Sequence, residues 1–593
     1  MAVKAGTDLA CGREYASLIQ AVKNGLISAA EIDMSLKRVM TARFRLGMFD
    51  PPEMVPYARI PFSENDSPAH RALSLKAAQE SIVLLKNENK TLPLKKDVRT
   101  IAVIGPNADA QEVLLGNYNG QPSKSVTPLA GIRSKVSADT KVLYSPGTLK
   151  VGLSTMPIPS SALTVNGPGS PTGLKGEYFD SREMKGEPTF ARTDEEVNFD
   201  WGAFSPGPQI PAQSFSVRWT GKLVPARSGK YVLGAAGNGG LRVLVDGQLL
   251  VEEFANRRTK TTTKEITLEA GRVYDIRFEY HAGGNPFTAA KLVWSPPGIE
   301  ETLRSEAVAS ARQADVVVMF LGISPLVEGE EMEVKLEGFR GGDRTDISLP
   351  QPQEQLLREV QATGKPTVIV LLNGSALAVN WANDHAPAIL EAWYPGEEGG
   401  TAIADLLFGD YNPGGRLPIT FYKSVDQLPP FTDYSMQGRT YRYFKGEPLF
   451  PFGFGLSYTK FNYDNLKLSA SKLKAGKELR ITADVQNVGD RAGDEVVQLY
   501  VSDVAASVPV PIRSLAGLKR VFLQPREKQH VSFTLSPAQM SLIDDNGKRV
   551  IEPGEFRISV GGKQPATAKN DGAETTGTVA ARFFVTGKVT AIP

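Results

Sequence analysis

The sequence predicts a multidomain α/β plus all-β chain, an α/β sandwich interrupted by a β-sandwich insert and followed by a second β-sandwich. Three observations predict it. From about residue 70, helical periods alternate with short, fully apolar runs such as "TIAVIG" and "DVVVMFLGIS", the pattern of a sheet buried on both faces. Between about 155 and 298 the pattern changes to strict apolar/polar alternation between turn residues, as in "FSVRWTGKLVPARSGKYVLGAAGNGGLRVLVDGQLL". From about 460, "LRITADVQNVGDRAGDEVVQLYVSD", "KQHVSFTLSP" and "GEFRISVGG" give another all-β unit of immunoglobulin-like size.

Taken in chain order, residues 13–50 read as two helices. Ser28 and Glu31 form a capping box for the second, and Gly47 ends it before "MFDPP". Its apolar residues Ile32, Met34, Leu36, Val39, Met40, Phe44 and Leu46 make a stripe that nothing nearby in sequence covers. Two helices cannot close a core, so residues 1–60 read as the end of a larger unit. "HRALSLKAAQESIVLLKN" reads as a helix. The α/β sandwich then takes residues 70–150 and 299–425, split by the 155–298 insert, since a domain can be inserted where its ends lie close together. Residues 426–460 read as a linker and 461–593 as the last β-sandwich, with the polar stretch "GGKQPATAKNDGAETTGTVA" a loop before its final strand.

Composition narrows the function classes. With 67 basic and 65 acidic residues the net charge is +2, so no bulk field recruits nucleic acid or an anionic membrane. The single Cys11 excludes an intramolecular disulfide and a multi-cysteine metal site. No apolar run is long enough to span a membrane, and "MAVKAGTDLACG" lacks the apolar core of a signal peptide. His70, His281, His385 and His530 have neither metal-ligand nor catalytic-triad spacing. "IAVIGPNAD" carries one glycine at a strand end, which is no dinucleotide fingerprint. The reading therefore includes no cofactor and no metal.

One stretch is chemically unusual. "SPLVEGEEMEVKLEGFRGGDRTDISLP" places Glu328, Glu330, Glu331 and Glu333 directly after an apolar strand. Taken alone, this is either a solvated acidic loop or a site that needs crowded carboxylates.

Longer motifs decide between them. "EAWYPGEEGGTAIADLLFGDYNPGGRLPITF" with "LFPFGFGLSY" resembles the C-terminal part of glycoside hydrolase family 3. The likeness extends to "AGTDLACG", "GLISAAEIDMSLKRVMTARFRLGMFDPP", "AQESIVLLKNENKTLPL" and "IAVIGPNAD", and so covers nearly the whole chain. The insert, from "GLKGEYFD" through "LRVLVDG" to "KLVWSPPG", resembles the protective-antigen-like sandwich of some family members, and the last unit resembles their fibronectin type III-like domain.

The resemblance implies an exo-acting retaining β-glycosidase, a β-glucosidase or β-xylosidase, acting on terminal β-linked sugars of plant-type oligosaccharides or on aryl β-glycosides in the periplasm or outside the cell. It implies two catalytic carboxylates. The acid/base lies in a Glu-x-Glu after a strand of the α/β sandwich, ahead of an Asp-Arg. Here that pattern falls on Glu328-Gly329-Glu330 and Asp343-Arg344, which makes Glu330 the acid/base and Glu328 an orienting or substrate contact, with Glu331 and Arg344 at the substrate. The stretch "MEVKLEGFRGG" lengthens the spacing, so Glu331 is the rival for the acid/base role. A retaining glycosidase needs one carboxyl to protonate the leaving oxygen and a second, about 5–5.5 Å away, to attack. Crowding by like charges helps the acid keep its proton.

The resemblance implies that the nucleophile, an Asp on an N-terminal βα barrel of about 250 residues, precedes "AVKAGTDLACG". The expectation is a chain that lacks most of that barrel, with Asp8 a loop or capping residue and no nucleophile of its own. Asp405, Gly409, Asn412, Pro413 and Arg416 are expected to shape turns. Arg439, Tyr441 and Tyr443 either pack or line a sugar site. Asp246 alone is too little to hold calcium. The uncovered helical stripe leaves a homo-oligomer open. The alternative function is a non-catalytic carbohydrate-binding protein, which has no need of Glu328 and Glu330. On the enzymatic reading, the isolated 593-residue chain hydrolyses aryl β-glucosides and β-xylosides at background. Loss of a nucleophile costs several orders of magnitude in rate, which a chromogenic assay reads directly.

Overall fold

A computed structural model describes every residue except 208, 285–286, 331, 333, 566–573 and 593, and the side chains of 255–258. The chain forms two compact units, Met1–Arg71 and Ala72–Pro593.

In the first unit, helix Ala29–Arg45 opens with the expected capping box. The Ser28 hydroxyl accepts from the Glu31 N–H, and the Glu31 carboxylate accepts from the Ser28 N–H. Asp8 is held by a two-pronged contact with the Arg38 guanidinium at 2.6–2.9 Å, which lowers the Asp8 pKa from its ordinary value. Met34, Leu36, Phe44 and Leu46 of the apolar stripe are exposed.

The second unit is built on a six-stranded sheet. Its spatial order is Val83–Asn87, Ala388–Glu391, Thr367–Leu372, Val316–Gly322, Thr100–Ile104 and Lys141–Ser145. The last five are parallel, and Val83–Asn87 is antiparallel to its neighbour. Strands Val316–Gly322 and Thr367–Leu372 are buried along their whole lengths, which accounts for their unbroken apolar sequences. One expectation fails here. The helix read through "SIVLLKN" stops at Ser81, and Val83–Asn87 is a strand. Ile82 to Leu85 form four consecutive buried positions, more than the one buried stripe of a surface helix accommodates, and the strand completes the sheet edge beside Ala388–Glu391. Lys141–Ser145 and helix Pro128–Lys135 also escaped the sequence pattern, because both are short.

Helices Pro128–Lys135, Ile299–Gln313, Gln351–Gln361 and Gly399–Phe408 accompany the sheet. The first and last approach backbone to backbone. A Cβ on Gly131 would sit 2.0 Å from the Gly400 carbonyl oxygen, so only glycine permits the contact.

Residues 156–295 supply a separate ten-stranded sheet. Its first strand, Met156–Pro157, pairs antiparallel with its last, Thr288–Ser295, so this stretch enters and leaves at adjacent points. Trp219 is fully buried at its centre, stacked on Phe278 at 5.2 Å and Phe199 at 5.8 Å. Asp194 accepts from the Trp219 indole and the Tyr178 hydroxyl, both at 2.7 Å. Oδ1 of Asp246 accepts from the Asp275 N–H at 2.8 Å. Among the described residues no group of three or more His, Cys, Asp or Glu is placed to hold a metal.

From Phe461 onward, a three-stranded and a five-stranded sheet enclose a core that includes Ile481, Leu499, Phe556 and Phe583. The residues around "GDYNPGGR" tie this region to the α/β sheet. Asn412 Oδ1 accepts from Ser457 Oγ at 2.9 Å and from the Tyr458 N–H at 2.8 Å. Arg416 meets Glu495 at 2.9 Å with side-chain exposures of 6% and 0%. Glu495 also accepts from Tyr463 and Thr576, both at 2.8 Å. Breaking a buried pair leaves a charge without compensation. Glu495→Ala is therefore expected to cost about 3–5 kcal/mol, read as a lowered urea midpoint, and Arg416→Met on that background should recover part of the loss.

Candidate active site

The carboxyl ends of the parallel strands define one edge of the sheet, where open α/β folds place ligands. The Glu-rich stretch leaves from there. Gly322 closes its strand held by Gln353, whose amide accepts from the Gly322 N–H at 2.8 Å and donates to its carbonyl at 2.7 Å. The Val327 and Glu328 N–H groups then turn back to the Ser324 carbonyl at 3.0 and 3.2 Å.

Glu328 points into a cage of donors from two neighbouring strand ends. The Gly374 N–H reaches Oε2 at 2.9 Å and the Tyr394 hydroxyl at 2.5 Å, while the Ser375 hydroxyl donates to Oε1. Burial and then the Glu328 charge push the Tyr394 hydroxyl far above its ordinary range, so it remains a donor. Arg344 extends the network. It donates to Ser375 Oγ at 3.2 Å and the Asp346 carbonyl at 2.8 Å, and it lies 5.3 Å over the Phe339 ring. Burial lowers Arg344 from its ordinary pKa, opposed by the charges of Glu328 and Asp346.

Glu330, two residues on, is exposed and accepts from the Tyr118 hydroxyl at 2.5 Å. The two sequence-predicted glutamates thus occupy different environments. Gly342 fixes the approach between them, since a Cβ there would overlap the Gly329 carbonyl. Glu331, expected at the substrate and as a rival for the acid/base role, lies outside the described residues, as does Glu333.

Sequence reasoning missed several residues that build this site. Asn117 donates to the Glu328 carbonyl, and Tyr118 reaches Glu330 from the same loop. Gly374, Ser375 and Tyr394 follow strand ends in "NGS" and "AWYPG", where a glycine or polar residue directly after a buried strand was the available signal. Glu391 was also missed. It is fully buried, accepting from the Trp393 N–H at 2.9 Å and from Asn373 Nδ2 at 3.1 Å. Trp393 is held at φ 59°, a left-handed conformation costly for a bulky side chain.

The other candidates make contacts within the fold. Tyr441 stacks on Phe452 at 4.1 Å and accepts from the Leu515 N–H at 3.1 Å, and Arg439 donates to the Pro430 carbonyl at 2.7 Å. His385 stacks on Trp381 at 4.2 Å, and His530 meets Asp484 at 2.8 Å. Lys135 pairs with Asp405 inside the second unit.

Comparison with known proteins finds relatives over nearly the whole chain. The chain matches the glycosyl hydrolase family 3 C-terminal domain over residues 82–458 and a fibronectin type III-like domain over 495–564. It is 37% identical over 568 residues to a xylan 1,4-beta-xylosidase of Xylanibacter ruminicola, covering 94% of this chain and 64% of that protein. It is 31% identical to a periplasmic beta-glucosidase of Salmonella typhimurium, with 95% and 58% covered. The chain therefore spans about three fifths of the length of these curated relatives. Among solved structures, the beta-glucosidase of Kluyveromyces marxianus in complex with glucose aligns with a TM-score of 0.71 at 27% identity, over 100% of this chain and 71% of that one.

Burial pushes the Glu391 carboxyl up to about 8 from its ordinary 4.5. The Glu328 charge adds to the rise, and the donors on Trp393 and Asn373 oppose it. Folded protein thus keeps a proton that the unfolded chain gives up. This stabilisation is complete below about pH 4.5 and is lost as pH rises to about 8, at up to about 1.4 kcal/mol per pH unit. Urea titrations across that range should show the decline in the native chain relative to Glu391→Gln, which cannot titrate.

Proposed function

The chain belongs to glycosyl hydrolase family 3, and we propose that it serves an exo-acting retaining β-glycosidase, a β-glucosidase or β-xylosidase. Its substrates are terminal β-linked sugars of oligosaccharides and aryl β-glycosides, and Glu330 is the acid/base. The observation that carries this reading is the contrast between two glutamates on one loop. Glu328 is pinned by three donors, whereas Glu330 stands exposed with a single tyrosine hydroxyl among the described residues. A group that gives a proton to a leaving oxygen and later takes one from water must be open to both. Glu328 and Arg344 orient the loop and the sugar, and no residue of this chain is assigned the attacking carboxylate. We further propose that residues 155–298 are a protective-antigen-like sandwich inserted in the α/β domain of 70–150 and 299–425, and that the protein works in the periplasm or outside the cell. The relative from Salmonella typhimurium is named periplasmic, and among the described residues no helix is long and apolar enough to cross a membrane.

The test uses a form of the protein that turns over an aryl β-glycoside. Glu330→Ala should lower kcat on unactivated disaccharides by about 10²–10⁴-fold and affect activated aryl glycosides far less, because only poor leaving groups need the proton. Azide should restore rate with the activated substrate by attacking the glycosyl-enzyme from the vacated space. Glu328→Ala should impair binding and turnover without azide rescue. Rescue in Glu331→Ala, and none in Glu330→Ala, would move the acid/base role one residue along.

A further inference from the structure

Tyr118 is the residue that the reading above does not yet employ. Its loop, "GNYNGQ", is pinned along its length. The Asn117 side chain donates to the Glu328 carbonyl, Asn119 Nδ2 donates to the Gly116 carbonyl at 2.8 Å, and Gln121 Oε1 accepts from the Ala203 N–H of the ten-stranded-sheet region at 2.6 Å. Between these anchors Tyr118 takes φ 57°, and its side chain is 88% exposed. A non-glycine residue held in the left-handed region is strained and persists only when its surroundings enforce it. The hydroxyl ends 2.5 Å from Oε2 of Glu330.

We propose that Tyr118 forms the leaving-group side of the site, with its hydroxyl fixing the Glu330 carboxyl and its ring serving as the platform for the departing sugar or aryl group. The proposal rests on Glu330 being the acid/base. In the first step the attacking carboxylate, assigned to no residue of this chain, bonds to the anomeric carbon as its bond to the glycosidic oxygen breaks, and the Glu330 proton passes to that oxygen so that the leaving group departs as a neutral alcohol. In the second step water bonds to the anomeric carbon as the bond to the attacking carboxylate breaks, and the Glu330 carboxylate takes the water's proton, which releases the sugar and restores the acid. With Tyr118 at Oε2, Oε1 is the oxygen the proposal assigns to the glycosidic oxygen. The group bearing that oxygen then lies beside Glu330, where the Tyr118 ring is exposed. A pyranose presents a C–H-rich face and an aryl group a flat one, and both suit an aromatic platform.

Two variants separate the two parts of the residue, and the exposure of Tyr118 predicts that both fold with the native Tm. In the same form of the protein that turns over an aryl β-glycoside, they are compared with the unsubstituted protein on an unactivated β-disaccharide and on an activated aryl glycoside of the same sugar. Tyr118→Phe keeps the ring and loses the hydroxyl. It should lower kcat on the disaccharide about 10-fold and displace the basic limb of the pH–rate profile, with KM within about 2-fold of native. Tyr118→Ala should add a rise of about 5–10-fold in KM for the disaccharide. A native pH profile and kcat in Tyr118→Phe, alongside azide rescue in Glu330→Ala, would overturn the hydroxyl's role while leaving the acid/base in place. An unchanged KM in Tyr118→Ala would overturn the platform. Absence of azide rescue in Glu330→Ala would instead strike the acid/base assignment, and the role of the hydroxyl with it.

Discussion

The hydrogen-bonded cage around the Glu328 carboxylate is the constraint from which the rest of the candidate site follows. A carboxylate at a strand end is costly to desolvate unless donors replace water. Here the donors come from the ends of both strands that follow it in space, Thr367–Leu372 and Ala388–Glu391. Parallel pairing brings those ends to the same edge as the end of Val316–Gly322, so the cage needs no loop of its own. Its geometry is inherited from the most deeply buried part of the fold. Arg344 then joins the same donors through Ser375, which closes the long stretch after Glu328 back on its own start.

Such a cage requires unusual backbone next to it. Tyr394 reaches Glu328 because the chain turns sharply at Trp393, whose left-handed conformation is held by the buried Glu391 accepting its N–H. The Trp393 indole is itself tied to the Ser81 carbonyl at 3.2 Å. Strain of this kind collects where the surroundings over-determine a residue, and it marks sites more often than cores. Tyr118 is the second instance near the same glutamates. The two strained aromatics differ in what holds them, one by a buried carboxyl and the other by a surface loop with side-chain anchors.

The sequence exposed the sheet more readily than the site. Unbroken apolar runs at 316–322 and 367–372 are hard to read as anything but buried strands, and Ser28 with Glu31 fixed a helix start to the residue. "SIVLLKN" misled because a helix and a buried edge strand share the same apolar run over so short a length, and only pairing with Ala388–Glu391 distinguishes them. The crowded glutamates after an apolar strand stood out in the sequence, but alone they read equally as a solvated loop, and it was the family resemblance that singled out Glu328 and Glu330. Gly374, Ser375, Tyr394 and Tyr118 were not legible, since each acts through proximity between segments tens to hundreds of residues apart. Glu391 was hidden for another reason. A charged residue at the end of "PAILE" reads as the point where a strand meets solvent, whereas here it is entirely buried.

On the proposed reading, the unequal treatment of two glutamates on one loop is what gives the site chemical direction. Paired carboxyls divide acid and base work when their environments pull them apart, and like residues in like surroundings do not. Glu328 is bound into the rigid edge of the sheet, while Glu330 is addressed from the loop that Gln121 fastens to Ala203. The position of Glu330 therefore depends on a connection outside the α/β core. A change near Ala203 would, on the proposed reading, reach Glu330 through Tyr118 and the Glu328 backbone through Asn117, whereas the donors to the Glu328 carboxylate lie elsewhere, on Gly374, Ser375 and Tyr394. On the proposed reading, the part of the molecule that meets the leaving group is thereby free to vary while the carboxylate that orients the sugar stays fixed.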